Sequence, residues 1–559
     1  MNTKHRLMIM RFLSMVCLIT GLVGCGPGVT IPTVTETAVP PTVSMEEVAA
    51  NQIIVAGTEA TIDSAIDTYN NTLPDKNQWL VEQARVELGF LSLIGTDEVN
   101  PPPFGSEEIT KIKVTHRLPP TGIPDVELRL YNNGKDISTL LDIINQLRDL
   151  GVNADPNLFT GKSASDRCGH PYPHSGGGSP YSGEGNPYAD LGLEVPADEF
   201  ERQWAFKAIN AGSFPPDDPV TGDGVSIAIF DTFPISEFDE PLEGPQVYPL
   251  PNNVSITVVD SIREIYGFDK TFSSASEKDK VSDHGLFVAS LIKHIAPGSQ
   301  VTLYRTLDDY GCGVLFNLVF AMAKSMEKRL HGSSPLVLSF SGGFDYKPDF
   351  PLFVGENMLS DRLPVGIEAL EIVIQEAYMR NVAIVAAAGN ESAPEPNDAS
   401  TTAQLMQFPA IYELVIGVAA STQDNGRSCF SNQGDVAAPG GNGGLFEGKP
   451  CAPRTGEWEK TCLEDFALDN AAECPYGLIG ASTISPSGYG FWSGTSFSTP
   501  LVTGLVALAL EKANGDRTLA YCMIKEGAGG KKPDPSIAAG IINVAGTLSI
   551  GPECGSFPQ

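Results

Sequence analysis

Residues 382–390 read Val-Ala-Ile-Val-Ala-Ala-Ala-Gly-Asn. An unbroken apolar run closed by a glycine and an amide describes a strand buried on both faces that ends in a turn. The pattern recurs upstream and downstream. Val225–Phe230 is an apolar run that ends on Asp231-Thr232, and Val301–Tyr304, Leu336–Phe340 and Leu414–Val418 are runs of the same kind. Between them lie segments of helical character at His284–Ile295, Leu315–Lys328, Gly366–Arg380 and Thr495–Lys512. Near-continuous apolar strands alternating with helices predict an α/β fold over residues 200–559, a mostly parallel sheet with helices on both faces.

In such a sheet the ligand sits at the carboxyl ends of the strands. An acid, Asp231, ends one strand, and an amide, Asn390, follows another. An imidazole, His284, and a hydroxyl, Ser496, stand where helices begin. These are the parts needed for nucleophilic acyl transfer. A serine hydroxyl is a poor nucleophile at its own pKa, so a base must take its proton and an anion must steady the resulting imidazolium. Asp283, just before His284, is expected to cap that helix. His294, on the same helix, is expected to be structural.

Serine hydrolases of unrelated folds present these residues in different chain orders, and Asp, His, Ser is the subtilisin order. Ser493-Gly494-Thr495-Ser496-Phe497-Ser498-Thr499-Pro500 resembles the subtilase nucleophile motif. Asp231-Thr232 resembles the aspartate motif, Asp283-His284-Gly285 with Val288-Ala289 the histidine motif, and Ala387-Ala388-Gly389-Asn390 the oxyanion asparagine motif. The resemblance implies a subtilisin-like serine endopeptidase acting on protein or peptide substrates. Its triad would be Asp231, His284 and Ser496, and Asn390 would bind the oxyanion. Ser341, Gly342 and Gly343 resemble the strand against which subtilases pair extended substrate. Gln203–Ile209 is similar to the segment that opens many subtilase catalytic domains, and Gly151–Leu158 to the end of their propeptides. Residues 46–160 are therefore expected to be a propeptide-like α+β domain that inhibits the cleft within the same chain.

The match has departures. Phe233 stands where subtilases usually have Gly, Leu286-Phe287 where Thr-His is usual, and Ser290 replaces a common Gly. Crowding of the cleft by Phe233, Leu286 and Phe287 would favour an alternative, a binding lipoprotein on a subtilase scaffold with catalysis lost. Many subtilases bind calcium, but no acidic run here has regular ligand spacing, so no cofactor is assigned. Cys451, Cys462 and Cys474 are too widely spaced for a zinc ribbon and no His lies among them, so no metal is assigned either.

Within 46–160 the expected elements are a strand at Gln52–Val55, a helix at Glu59–Asn70, a second helix near Gln78–Leu93 and a strand at Ile109–Val114. An alternating run at Val126, Leu128 and Leu130 follows, then a helix capped by Asp136 that carries Ile137, Leu140, Leu141, Ile144 and Leu147 and stops at Gly151. The first 24 residues carry Lys4, Arg6, Arg11 and an apolar stretch from Phe12 to Val23, the pattern of a signal peptide. Leu22-Val23-Gly24-Cys25 resembles a bacterial lipobox, which implies export and attachment to a membrane through lipid on Cys25. Residues 25–45 are a Pro/Thr-rich linker and 161–199 a Gly/Ser/Pro-rich one, in which His170 and His174 are loop residues. Eight cysteines beyond Cys17 and Cys25 predict disulfides, several of them in an insertion near 440–480. With Lys+Arg 36 against Asp+Glu 68, the net charge of −32 repels phosphate backbones and excludes nucleic acid as a partner.

Overall fold

The computed structural model describes residues 48–88, 126–132, 140–161, 197–211, 220–235, 244–272, 280–327, 334–344, 365–392, 403–441, 477–483, 487–528 and 536–554, apart from isolated positions and pairs within them and a few short strands between them. The leader, Cys25, both linkers, the strand expected at Ile109–Val114, Asp136 with Ile137, and most of the 440–480 insertion lie outside the described residues.

The N-terminal part runs β1 (Val48–Gly57), α1 (Glu59–Asn71), β2 (Val81–Leu88), β3 (Val126–Asn132), α2 (Leu140–Asp149) and β4 (Asn153–Gly161). The order βαββαβ with neighbours β2-β3-β1-β4, all antiparallel, is a ferredoxin-like sandwich. Thr58 caps α1, its side chain accepting from the Thr61 N–H. The helix expected near Gln78–Leu93 is a strand instead. Its Glu, Gln and Ala content suits a helix, but Ala84 and Val86 turn alternately inward and the backbone pairs with β3, so tertiary pairing overrides propensity.

This sheet buries both faces. Ile53 and Val55 pack on α1 and α2, while Ile54, Ala56, Val86, Leu128 and Leu130 face the other way. That second face rests on two helices from the C-terminal part, described below.

The C-terminal part opens with α3 (Ala197–Arg202) and α4 (Trp204–Ala208). It continues through β5 (Ser226–Asp231), β6 (Gln246–Pro249), β7 (Ser255–Asp260), α5 (Ser261–Tyr266), α6 (His284–Ile295), β8 (Gln300–Arg305), β9 (Cys312–Val314), α7 (Leu315–Glu327) and β10 (Leu336–Phe340). Then follow α8 (Val365–Met379), β11 (Ala383–Ala387), β12 (Ile416–Ser421), β13 (Val436–Pro439), β14 (Leu478–Ala481), β15 (Tyr489–Trp492), α9 (Thr495–Lys512), α10 (Arg517–Gly527) and α11 (Val544–Ser549).

Eight strands form one sheet in the order β13-β12-β11-β10-β5-β8-β7-β6, parallel throughout except for the edge strand β6. One face is covered by α6 and α9 and the other by α7 and α8. α9 is buried from Thr495 to Leu510, which is why its sequence shows little amphipathic contrast. Among the described residues no helix is long and apolar enough to cross a membrane.

The two parts share a seam. Phe159, Thr160 and Gly161 of β4 pair antiparallel with Val314, Gly313 and Cys312 of β9. The outward face of the N-terminal sheet lies on α7 and α8, against residues such as Phe316, Val319, Phe320 and Val373. Asn157, buried in β4, accepts the Phe316 N–H at 3.0 Å and so caps α7 from across the seam, while donating to Gln52 Oε1 at 2.9 Å.

A disulfide joins Cys522 to Cys554, tying α10 to the C-terminal segment, and Cys312 and Cys429 are also disulfide-bonded. Near the end of α9, Glu511 accepts three main-chain N–H groups, from Thr221 (2.9 Å), Gly222 (2.6 Å) and Asp223 (3.1 Å), and thereby fixes the entry into β5. His294 stacks on Phe206 with centroids 3.8 Å apart and meets Phe200 edge-on. It is structural, and it pins α3 and α4 to α6.

Glu511→Ala removes a charged acceptor from three donors and is expected to lower stability by about 2–4 kcal/mol, measured by chemical denaturation. Burial pushes the His294 imidazole down from 6.5 to about 4. As pH falls through that window the unfolded chain takes up a proton that the folded chain refuses, so stability is lost. The denaturation midpoint of the wild type is therefore expected to fall more steeply from pH 6.5 to 4 than that of His294→Phe.

Candidate active site

Asp231 is the last residue of β5, and its main-chain carbonyl accepts from Thr306 at 3.0 Å, which locks the strand end to the chain leaving β8. Its side chain is 1% exposed. One carboxylate oxygen accepts the Thr232 N–H at 2.7 Å. Both oxygens lie on His284 Nδ1, at 2.7 and 2.9 Å. With its proton on Nδ1 the ring is a donor to Asp231, and its lone pair stands on Nε2. A buried carboxylate held this way is the partner an imidazolium needs, because water is not there to solvate it.

His284 opens α6, and Gly285 makes the approach of that helix to β5 possible. A Cβ at Gly285 would stand 2.2 Å from the Thr232 carbonyl oxygen and 3.0 Å from Asp231 Cβ. The Thr232 hydroxyl completes the joint, donating to the Val281 and Ser282 carbonyls. Asp283 is not the helix cap the sequence suggested, for its side chain makes no capping bond. Its carboxylate instead accepts from Ser482 Oγ (2.7 Å), Thr483 N (2.9 Å) and Thr483 Oγ1 (2.6 Å). It ties the turn after β14 to the residue beside His284.

Ser496 lies in the first turn of α9, after Gly494, whose φ of 146° suits glycine alone. The Ser496 hydroxyl donates to the Ser341 carbonyl at 2.8 Å. The ring of Phe497, the next residue, stands 5.0 Å from the His284 ring centroid, so the first turn of α9 packs against the start of α6. Asn390 follows β11. Its Oδ1 accepts from both the N–H and the hydroxyl of Thr495, each at 3.0 Å, and the Thr495 hydroxyl in turn accepts the Gly389 N–H at 3.3 Å. The amide lies beside Gly494, with Nδ2 3.6 Å and Oδ1 3.8 Å from where a Gly494 Cβ would stand, and the bonds to Thr495 leave Nδ2 as its donor end.

Ser341, Gly342 and Gly343 continue from the end of β10. Gly343 faces the side chain of Gln407, whose amide oxygen would be 2.3 Å from a Cβ there. Gln407 N–H is bonded to the Ala388 carbonyl, so this side chain lies between the strand end near Ser341 and the one bearing Asn390.

The structure thus brings Asp231 and His284 into contact and places Ser496, Ser341 and Asn390 beside one another. Phe233, Leu286 and Phe287, expected to crowd the cleft, are buried in the main core instead. Phe233 packs edge-on against Tyr248 at 5.1 Å, and Phe287 lies against Phe497 at 4.6 Å. Thr495, Ser482, Thr483 and Gln407 were not singled out from sequence. Thr495 lay within the quoted motif, but nothing local marks the partners of the other three.

The family model described as "Subtilase family" matches residues 222–526, more than half of the chain. Subtilisin from Bacillus pumilus is 24% identical over 290 residues, covering 47% of this chain and 78% of that protein. Subtilisin E from Bacillus subtilis (strain 168) is 24% identical over 290 residues, and the match spans only 56% of its length. The crystal structure of the epidermin leader peptide processing serine protease from Staphylococcus aureus has a TM-score of 0.51 at 16% identity, covering 90% of this chain and 99% of that one. The likeness at that identity is one of fold, a mostly parallel sheet flanked by helices.

Gly285→Ala drives a methyl group into the Thr232 carbonyl, so α6 must move away from β5. The variant is expected to lose at least about 3 kcal/mol of stability or to fail to accumulate, judged by soluble yield and thermal unfolding.

Proposed function

This chain belongs to the subtilase family, and on that premise we propose that it is a serine endopeptidase that cleaves protein or peptide substrates through Ser496, His284 and Asp231. The observation that carries the proposal is the buried Asp231–His284 pair, with His284 Nδ1 at 2.7 and 2.9 Å from the carboxylate, beside the helix that begins at Ser496.

An extended substrate lies along Ser341, Gly342 and Gly343, and one of its main-chain N–H groups claims the Ser341 carbonyl. The Ser496 hydroxyl, displaced from that acceptor, swings to His284. His284 takes the proton as Oγ attacks the substrate carbonyl carbon, and Asp231 steadies the imidazolium. The developing oxyanion is bound by Asn390 Nδ2 and the Ser496 N–H. A donor of this kind is worth about 10²–10³-fold in kcat, a magnitude measured on subtilisin. The positive end of the α9 dipole adds to it. His284 then protonates the leaving amine, and water activated by the same ring hydrolyses the acyl-enzyme.

The N-terminal sandwich acts in this scheme as an inhibitor within the chain. Support comes from β4, whose last residues add a strand to β9, and from the sandwich face laid on α7 and α8. Cutting in 161–199 would release it. Export and a lipid on Cys25 would place the enzyme at a membrane surface, where substrates meet it from outside. With Phe233, Leu286 and Phe287 in the core, the alternative of a non-catalytic binding lipoprotein loses the observation that favoured it.

The chain, nicked in 161–199 by an added protease, is treated with a fluorophosphonate probe. Expected are labelling of the wild type, none on Ser496→Ala and a loss of about 10³-fold or more in labelling rate for His284→Ala. An unlabelled wild type, or equal label on Ser496→Ala, overturns the reading. In the same preparations, without added protease, the wild type is expected to shorten while Ser496→Ala stays full length.

A further inference from the structure

The His284 ring has a second set of neighbours besides Asp231. Trp492, the last residue of β15, stands with its ring at 87° to the imidazole and 5.4 Å from it. Phe497, on α9, is tilted by 56° at 5.0 Å. Behind them Phe287, three residues along α6 from His284, meets Trp492 edge-on at 5.9 Å and Phe497 at 4.6 Å, and Trp492 and Phe497 are 5.3 Å apart. All three aromatic residues are buried and belong to the main core. They come from three different elements, α6, β15 and α9. Among the described residues, the carboxylates bonded at or beside His284 are Asp231, held on Nδ1, and Asp283, whose oxygens take the Ser482 and Thr483 donors.

An imidazole that must become a cation in this setting is cut off from water, being 2% exposed. A carboxylate answers the charge at one ring nitrogen only. Aromatic rings carry a negative face that attracts a cation at about this separation, whereas aliphatic side chains of like size do not. Three interlocked rings are also stiff, so the imidazole plane is held in line with the Asp231 carboxylate rather than free to turn about its χ2 axis.

We propose that Trp492 and Phe497 are positioning residues for His284, whose π electrons hold the ring in register with Asp231 and stabilise the imidazolium that forms when the ring takes the proton of Ser496. The role in turnover rests on the serine peptidase reading above. The effect on the ring does not.

The test is an NMR titration of the His284 imidazole in the full chain carrying Ser496→Ala, with labelled histidine and the resonance assigned among the seven histidines by its loss in His284→Gln. Trp492→Leu and Phe497→Leu each remove a π system and keep an apolar side chain. Each is expected to lower the His284 midpoint by about half a unit to one unit. Trp492→Phe is expected to restore most of the loss. A role in packing alone predicts the opposite sign, because a gap that admits water solvates the cation and raises the midpoint. The proposal falls for whichever residue leaves the midpoint unchanged or raised on replacement by Leu. Should Trp492→Leu not fold, Phe497→Leu decides it. With an active enzyme, Trp492→Leu is expected to reduce kcat by about three- to ten-fold at little change in KM. A change in KM alone makes Trp492 a substrate contact and overturns the proposal. Failure of fluorophosphonate labelling would sink the peptidase reading and leave the titration result standing.

Discussion

A carboxylate and an imidazole, both almost wholly shielded from water, lie within hydrogen-bond distance of each other at the junction of β5 and α6. Neither group tolerates that setting by itself, since an isolated buried charge costs several kcal/mol. Much of the surrounding architecture serves to keep them together. The parallel sheet puts Asp231 at a strand end, Thr306 fixes that end from β8, and the absence of a side chain at Gly285 lets the helix start within reach. The Thr232 hydroxyl and the Asp283 carboxylate then hold the segments on either side. Displacing any one of these moves the imidazole relative to its anion, which is why so many polar contacts of the core converge here.

Ser496 and Asn390 are organised by the opposite device, main-chain geometry with light side-chain support. Thr495 occupies the carbonyl end of the Asn390 amide and so fixes how that amide is turned. The hydroxyl itself rests on the Ser341 carbonyl. On the proposed peptidase reading, a substrate backbone that competes for that carbonyl would couple binding to release of the Ser496 hydroxyl.

The five central strands β5, β8, β10, β11 and β12 and the helices α6 to α9 were legible because their apolar runs are unbroken and their boundary chemistry is strong, whereas β6, β7 and β13 were not expected. α6 and α9 match their expected limits to the residue: Pro297 and Gly298 follow the first, while Gly494 precedes the second and Asn514-Gly515 follows it. The hairpin of β14 and β15 escaped notice since its glycines break the strand pattern, and β6 did so since it is short, exposed and ends in Pro249. β2 was misread as helical because Glu, Gln and Ala outvoted a period of two that only its pairing with β3 makes decisive. Around the site, the strand end at Asp231 and the helix starts at His284 and Thr495 could be read from the sequence. The partners could not. Asp283 meets Thr483 across 200 positions and Trp492 meets His284 from another element, and nothing local in a sequence encodes such meetings.

Asn157 has a bearing on how the chain is made. It satisfies the first turn of α7 from a position 159 residues earlier. During synthesis at about 5–20 residues per second, the acceptor leaves the ribosome roughly 8–30 s before the helix that needs it. A chain begun at Ala197 must find water or another acceptor for that N–H, and leaves α7 and α8 without the surface that covers them.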